Sequence, residues 1–286
     1  MITRLAWATT NDARGLDDDE PVALPALARA GVTVDVVAWD DPDVAWADYD
    51  RVVLRSTWDY PERLGQFLVW LEHVSAVTDL RNPLPMVRWN IDKHYLIDLQ
   101  RAGVPVVPTT FAEPGRSPSL PTGRFVVKPA VGAGSRDAAS YEPGQHDLAF
   151  AHVRRLHEAD SSLLIQPLVE SVAVEGEWPL IFLDGRYSHA ASKRVALPAA
   201  GSVDGLFAEE NNASHVADAD QIAVAQAAVA VVVRRFGVPT YARVDLVRDD
   251  RGQFQVLELE LVEPSLFLPQ ATPDAVRRLV TVLATA

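Results

Sequence analysis

Val126-Val127-Lys128-Pro129-Ala130-Val131-Gly132-Ala133-Gly134-Ser135-Arg136-Asp137 is the stretch on which the fold turns. A β-branched run delivers one lysine at its end, and a loop of small residues follows at once. Backbone N–H groups and a single ammonium arranged in this way suit a polyphosphate. The stretch is not a Walker loop, because no G-x-x-x-x-G-K-[ST] occurs, and not a dinucleotide fingerprint, because G-x-G-x-x-G is absent. On its own, a lysine ending a strand before a glycine turn is ordinary surface. A carboxylate-rich strand far downstream gives it meaning.

That strand is Phe254-Gln255-Val256-Leu257-Glu258-Leu259-Glu260-Leu261-Val262-Glu263-Pro264. Period two puts Glu258 and Glu260 on one face and leaves the opposite face apolar. Tyr241-Ala242-Arg243-Val244-Asp245-Leu246-Val247 precedes it, and Asp249-Asp250-Arg251-Gly252 supplies a turn, so the two segments read as a hairpin. Arg243 and Asp245 share a face of their strand. The hairpin therefore gathers Asp245, Glu258 and Glu260 into one acidic cluster beside Arg243. Hard oxygen ligands in twos and threes suit Mg²⁺, which completes its shell with water and nucleotide phosphates.

Composition narrows the function. The chain has 286 residues, with 26 Lys+Arg against 39 Asp+Glu, a formal charge of −13. Nucleic-acid binding, which needs a basic stripe, is a poor match, and so are anionic membranes. The absence of cysteine excludes disulfides, thiolate metal sites and cysteine nucleophiles. The opening Met1–Thr10 is too polar for a signal segment, and the apolar run Ile222–Val233 is too short to span a bilayer. It reads as a buried alanine-rich helix, and the expectation is a soluble cytoplasmic protein.

Along the chain, strands and helices alternate. Strands are expected at Leu5–Thr9, Val32–Trp39 and Tyr49–Arg55. A helix from about Asp17 to Ala30, stopped by Gly31, lies between the first two, so the segment reads as a Rossmann-like βαβ unit. A helix over Pro61–Ser75 places Leu64, Phe67, Leu68 and Leu71 on one face. Asn82-Pro83-Leu84-Pro85 is a stiff connector and a candidate domain boundary. A helix over Ile91–Ala102, an edge segment over Val104–Phe111, a loop over Glu113–Gly123, the strand Phe125–Lys128, a helix over His146–Glu158 and the strand Ser162–Pro167 complete the central part.

These pieces resemble the ATP-grasp superfamily: a first lysine in a helix, a second at a strand end before a small-residue loop, a hinge, an R-x-D strand and a carboxylate strand. The resemblance runs from about Trp89 to Pro264, behind an N-terminal α/β domain. It implies a mixed α/β and α+β fold in which two α+β lobes clamp ATP, with domains at residues 1–87, 88–169 and 170–286. It implies ATP and Mg²⁺ as cofactors, a carboxylate activated as an acyl phosphate, and a nitrogen nucleophile that displaces the phosphate. Residue by residue, Lys93 resembles the first phosphate-binding lysine and Lys128 the second. Gly132, Gly134 and Ser135 resemble the lid, and Gln166, Leu168 and Val169 the adenine-binding hinge, with Gln166 where many relatives carry Glu. Glu177 resembles the ribose-binding acid, with Glu170 as a rival. Arg243 resembles the arginine that stabilises the tetrahedral intermediate. Asp245 and Glu258 resemble metal ligands. Relatives read E-x-N-x-x-P on the last strand, whereas here Glu260 replaces the amide and Pro264 falls one residue late. Either Glu260 is the third ligand, which its shared face with Asp245 favours, or the register shifts and Glu263 enters.

Arg55-Ser56-Thr57-Trp58-Asp59-Tyr60 follows a buried strand at its carboxyl end, where open α/β sheets place ligands. Arg55 suits a carboxylate and Asp59 an ammonium, with Trp58 and Tyr60 shaping the pocket. Arg194, beside Lys193, is a second anion-binding and catalytic candidate, and Leu206–Glu210 a candidate loop over the site. The stretches R-S-x-W-D-Y, R-W-x-x-D-K-H-Y-L and L-E-L-E-L-x-E-P-S-L-F resemble the branch of the superfamily that includes O-ureido-serine cyclo-ligases of the cycloserine pathway. That implies a small amino-acid substrate, with neither nucleic acid nor membrane as partner. An intermolecular amino acid ligase, a kinase that stops at phosphorylation, a nucleotide binder without turnover, and a homodimer stay open at this point.

Overall fold

The computed structural model describes residues 1–195 and 210–285. The expected loop over Leu206–Phe207-Ala208-Glu209 lies outside them; Glu210 opens a strand.

The first sheet is parallel, in the order β2 (Thr33–Ala38), β1 (Arg4–Thr9), β3 (Arg51–Ser56), β4 (Asp79–Arg81). All six residues of β3 are buried, as a parallel strand covered on both faces requires. Alternation divides the two faces. Leu5, Trp7 and Val53 pack with Ala23 and Leu27 of α1 (Glu20–Arg29). Ala6, Ala8, Val52 and Leu54 pack under Phe67, Trp70, Leu71 and Val74 of α2 (Leu64–Val77).

Two short helices follow, α3 (Leu84–Ile91) and α4 (Tyr95–Arg101). They replace both the expected stiff connector at Asn82–Pro85 and the single helix over Ile91–Ala102. The break falls at Asp92, whose side-chain Oδ1 accepts the His94 N–H at 2.9 Å and competes with helix continuation. Asp92 is extended and bridges Val131.

The central sheet is antiparallel, in the order β5 (Thr110–Ala112), β8 (Leu163–Pro167), β6 (Phe125–Pro129), β7 (Ala139–Tyr141), and α5 (His146–Glu158) covers one face. The short α6 (Ser171–Glu175) leads to the third sheet, ordered β11 (Glu210–His215), β10 (Arg186–Val195), β9 (Trp178–Leu183), β12 (Tyr241–Arg248), β13 (Phe254–Glu260), also antiparallel. It packs against α7 (Ala219–Phe236), whose N-terminus carries a capping box between Asp218 and Gln221.

The cores do not follow the three consecutive segments expected from the sequence. Met86, Tyr95, Leu96 and Leu99 of α3 and α4 pack on the third sheet, not in the central lobe. The last helix, α8 (Pro273–Ala284), returns to the first sheet, where Leu279 and Leu283 join Leu5, Trp7 and Leu27. The buried Arg51 guanidinium donates to the carbonyls of Leu283 (2.5 Å) and Thr285 (2.9 Å). The Ile2 N–H donates to the Ala284 carbonyl at 3.0 Å. Among the described residues, only 112–165 build a core wholly their own. Among the described residues no helix is long and apolar enough to cross a membrane.

Candidate active site

The three sheets meet around a cleft of about 430 Å³. Its carboxylate wall is β13, an edge strand whose outer backbone is satisfied by side chains and a loop instead of another strand. The Leu259 N–H donates to the Tyr95 hydroxyl (3.0 Å), while Asn90 donates to the Leu259 carbonyl (2.8 Å) and accepts the Leu261 N–H (2.6 Å). The Val256 N–H donates to the Pro105 carbonyl at 2.8 Å. The strand is thereby fixed with Glu258 opposite Asp245 and Glu260 opposite Arg243. A bulge at Leu257 interrupts strict alternation: Val256 joins Leu259 and Leu261 in the core, and Leu257 faces the cleft beside Glu258. The expectation of a uniformly apolar opposite face missed this bulge.

Two lysines meet on Glu258. Lys93 Nζ lies 3.0 Å and Lys128 Nζ 3.6 Å from its carboxylate. Lys93, expected within a helix, sits instead on the break between α3 and α4, where its Nζ also donates to the Gly132 carbonyl at 3.0 Å. Burial opposes ionisation of Glu258, but Lys93 and Lys128 outweigh it and hold the carboxyl well below the usual range. The Gly132–Ser135 loop lines the same space. Ala133 seats the loop in the apolar cluster of Leu54 and Ile91, and Arg136 pairs with Glu62 of the N-terminal segment.

Across the cleft a second charge chain runs from β9 to β13. Gly176, at φ 80°, lets the backbones of Glu177 and Lys193 bridge; a Cβ there would lie 2.5 Å from the Lys193 carbonyl oxygen. Lys193 Nζ is 2.8 Å from Glu177 and 3.5 Å from Asp245. Burial disfavours the Lys193 ammonium, yet Glu177 and Asp245 more than offset it and raise its pKa. Arg243 holds Asp245 with two hydrogen bonds, of 2.8 and 3.0 Å, and pairs with Glu260.

Several expectations need correction. Asp245, Glu258 and Glu260 do not form a three-acid metal site: no group of three or more such side chains able to hold a metal occurs among the described residues. The period that puts Asp245 on this face also puts Arg243 there, and the guanidinium takes both carboxylate oxygens. Arg194 is exposed and absent from the cleft wall, whereas its neighbour Lys193 lines it, one residue out of phase on β10. Arg55 does not reach the cleft. Only 2% exposed, it bonds Asp19 at 2.7 Å and lies 3.6 Å from Asp17, over the Trp7 ring. Asp59 also turns away, accepting from Trp39 Nε1 at 2.8 Å and pairing with Arg63. Trp58 and Tyr60 do line the cleft, as do Gln166, Leu168 and Val169. Gln166 points its amide at Thr109 Oγ1, 2.9 Å away. Of the two rival acids, Glu177 lines the cleft, whereas Glu170 lies at the surface with Arg124. Sequence reasoning gave no site role to Asp18, Ser265 or Phe267, all of which face the cleft.

Comparison with known proteins places this geometry. Residues 5–82 match the model of the N-terminal domain of D-cycloserine synthetase DcsG. The cycloserine biosynthesis protein DcsG of Streptomyces lavendulae is 42% identical over 96% of this chain and 95% of its own. The chain belongs to the DcsG family of ATP-grasp ligases. A crystal structure of D-cycloserine synthetase DcsG superposes with a TM-score of 0.87 at 39% identity, covering 98% of both chains. The D-alanine–D-alanine ligase of Bacillus anthracis, 16% identical, shares the fold over 99% of this chain and 97% of its own with a TM-score of 0.66. As a member of the DcsG family this chain is an ATP-dependent ligase, and the ATP-grasp architecture expected from the sequence is the one observed.

Proposed function

We propose that this chain is a cyclo-ligase acting on an O-ureido-serine, most specifically O-ureido-D-serine. ATP phosphorylates the substrate carboxylate, giving ADP and an acyl phosphate. The nitrogen bonded to the substrate's own side-chain oxygen then attacks the carbonyl carbon, phosphate leaves, and a five-membered ring closes. The observation that carries this reading is one cleft in which Lys93 and Lys128 flank Glu258 while Arg243 stands beside Glu260. The relative's role in cycloserine biosynthesis supports the choice of substrate.

In this reading Lys93 and Lys128 leave Glu258 for the triphosphate and act on it as point charges. The backbone around Gln166, Leu168 and Val169 receives the adenine, and Glu177 the ribose. Arg243 stabilises the oxyanion of the tetrahedral intermediate. Trp58 and Tyr60 enclose the substrate, and the Gly132–Ser135 loop keeps water from the acyl phosphate. Glu258 and Glu260 would hold Mg²⁺, with phosphates completing its shell. Their hard oxygen donors fit the ion. Burial, with the neighbouring acids adding to it, pushes Glu260 up to about 7, and burial together with Glu260 pushes Glu263 up to about 8, so their joint ionisation calls for further positive charge beside them. Mg²⁺ would supply that charge and polarise the phosphates.

The deciding assay is ADP release with O-ureido-D-serine alone, compared with pairs of amino acids. Turnover of the single compound to a cyclic product is expected; turnover on pairs alone would replace the reading with an intermolecular ligase. A second expectation concerns the nucleotide. Lys93→Ala should weaken binding of a non-hydrolysable ATP analogue with Mg²⁺ by about 1.5–3 kcal/mol, or tenfold to a hundredfold in Kd, as for a lost charged hydrogen bond. Calorimetry measures this, and an unchanged Kd would remove Lys93 from the phosphate site.

A further inference from the structure

Phe267 is an unusual residue for its backbone. It lies at φ 50° and ψ 40°, in the left-handed region, which a bulky side chain rarely adopts. Such a conformation persists only where its surroundings over-determine it. Here they do. Asp19, 0% exposed, accepts the Leu266 N–H at 2.6 Å and the Leu268 N–H at 2.8 Å, gripping the chain on both sides of Phe267. Arg55, unavailable to substrate, holds the same carboxylate. His189 donates to the Leu266 carbonyl at 2.7 Å. The result brings the phenyl ring to the cleft wall, its centroid 5.7 Å from the Arg243 guanidinium carbon, while Arg243 Nη1 lies 3.4 Å from the Ser265 carbonyl oxygen.

We propose that Phe267 is the specificity-determining wall of the substrate end of the cleft: its ring, set by Asp19 and Arg55, occupies the space beside Arg243 that a second amino acid would need. The inference rests on the cyclo-ligase reading and adds the device that enforces it. An acyl phosphate formed next to Arg243 is reachable by a nitrogen already tethered to it and closed to a free amine. Phe267 is 3% exposed and belongs to the cluster of Leu5, Trp7 and Leu27, so one ring closes both that core and this end of the cleft.

The test measures how the activated carboxylate partitions between ring closure and capture by added D-alanine, read as the ratio of amide to cyclic product by mass spectrometry. Wild type is expected to give the ring almost exclusively. Phe267→Ala should raise the ratio by tenfold or more, with the KM for ATP unchanged. Phe267→Leu, which keeps most of the bulk, should stay near wild type. Phe267→Gly opens the same space and also tolerates the left-handed backbone, so it carries the test if the alanine variant folds poorly. Ring closure by wild type together with an unaltered ratio in Phe267→Ala or Phe267→Gly would overturn the role of Phe267 alone. Turnover of wild type only on amino acid pairs would overturn both this role and the cyclo-ligase reading.

Discussion

Arg55→Met is expected to cost about 3–5 kcal/mol of stability, the penalty for removing one partner of a buried ion pair and leaving the other uncompensated. Asp19, already pushed up to about 6 by burial, would lose its nearest cation, and Asp17 would lose its own pairing. The Leu266–Leu268 turn that Asp19 grips would loosen with it. Urea unfolding followed by far-UV circular dichroism measures the loss. The outcome separates two readings of one residue. A stability change below about 1 kcal/mol, with a raised KM for the amino acid, would return Arg55 to the substrate site; the larger loss identifies it as the strut behind that site.

Arg243→Ala should lower kcat by roughly a hundredfold to a thousandfold, as for loss of one donor to a developing oxyanion. Nucleotide affinity should change far less, because Lys93 and Lys128 pair with Glu258, whereas Arg243 pairs with Asp245 and Glu260. The substitution also frees Asp245 and Glu260 from their guanidinium, so Arg243→Lys is the matched control. It keeps the positive charge yet loses the fork that spans both acids. Single-turnover ADP formation and calorimetry with an ATP analogue separate the effects. If kcat survives in the alanine variant, Arg243 serves only to neutralise the acids, and the oxyanion must be stabilised elsewhere.

Much of the fold was legible because burial imposes its period on the sequence. The nearly continuous apolar run of β3, the alanine-rich apolar run within α7 and the β12–β13 hairpin could each be read from the sequence. The cleft residues of the hairpin, Arg243, Glu258 and Glu260, followed from parity, and Lys128 from its place at a strand end before a small-residue loop. What escaped has a physical pattern of its own. Parity fails at a bulge, so Leu257 changed sides. Parity also needs an origin, which an alternating strand with cations at both phases does not supply, so Arg194 was preferred to Lys193. An Asx turn competes with a helix on nearly equal terms, which hid the break that carries Lys93. Arg55 and Asp59 depart from expectation because the end of a strand says where a side chain starts, not which partner holds it: Asp19, 36 residues away, holds Arg55, and Trp39 and Arg63 hold Asp59. The left-handed backbone of Phe267 has no local signature at all, since the force that sets it comes from Asp19, at the far end of the chain.

The return of α8 to the first sheet has a consequence for how the molecule comes into being. The guanidinium of Arg51 and the Leu283 carbonyl that it holds are 232 positions apart. However early β1, α1 and β3 leave the ribosome, the face built from Leu5, Trp7 and Leu27 stays uncovered until the residues of α8 have been made. The first-made sheet is therefore among the last to close. During synthesis it presents bare apolar surface to whatever binds nascent chains, whereas the central lobe, alone among the described residues, has a core complete within itself and can close as soon as it is made.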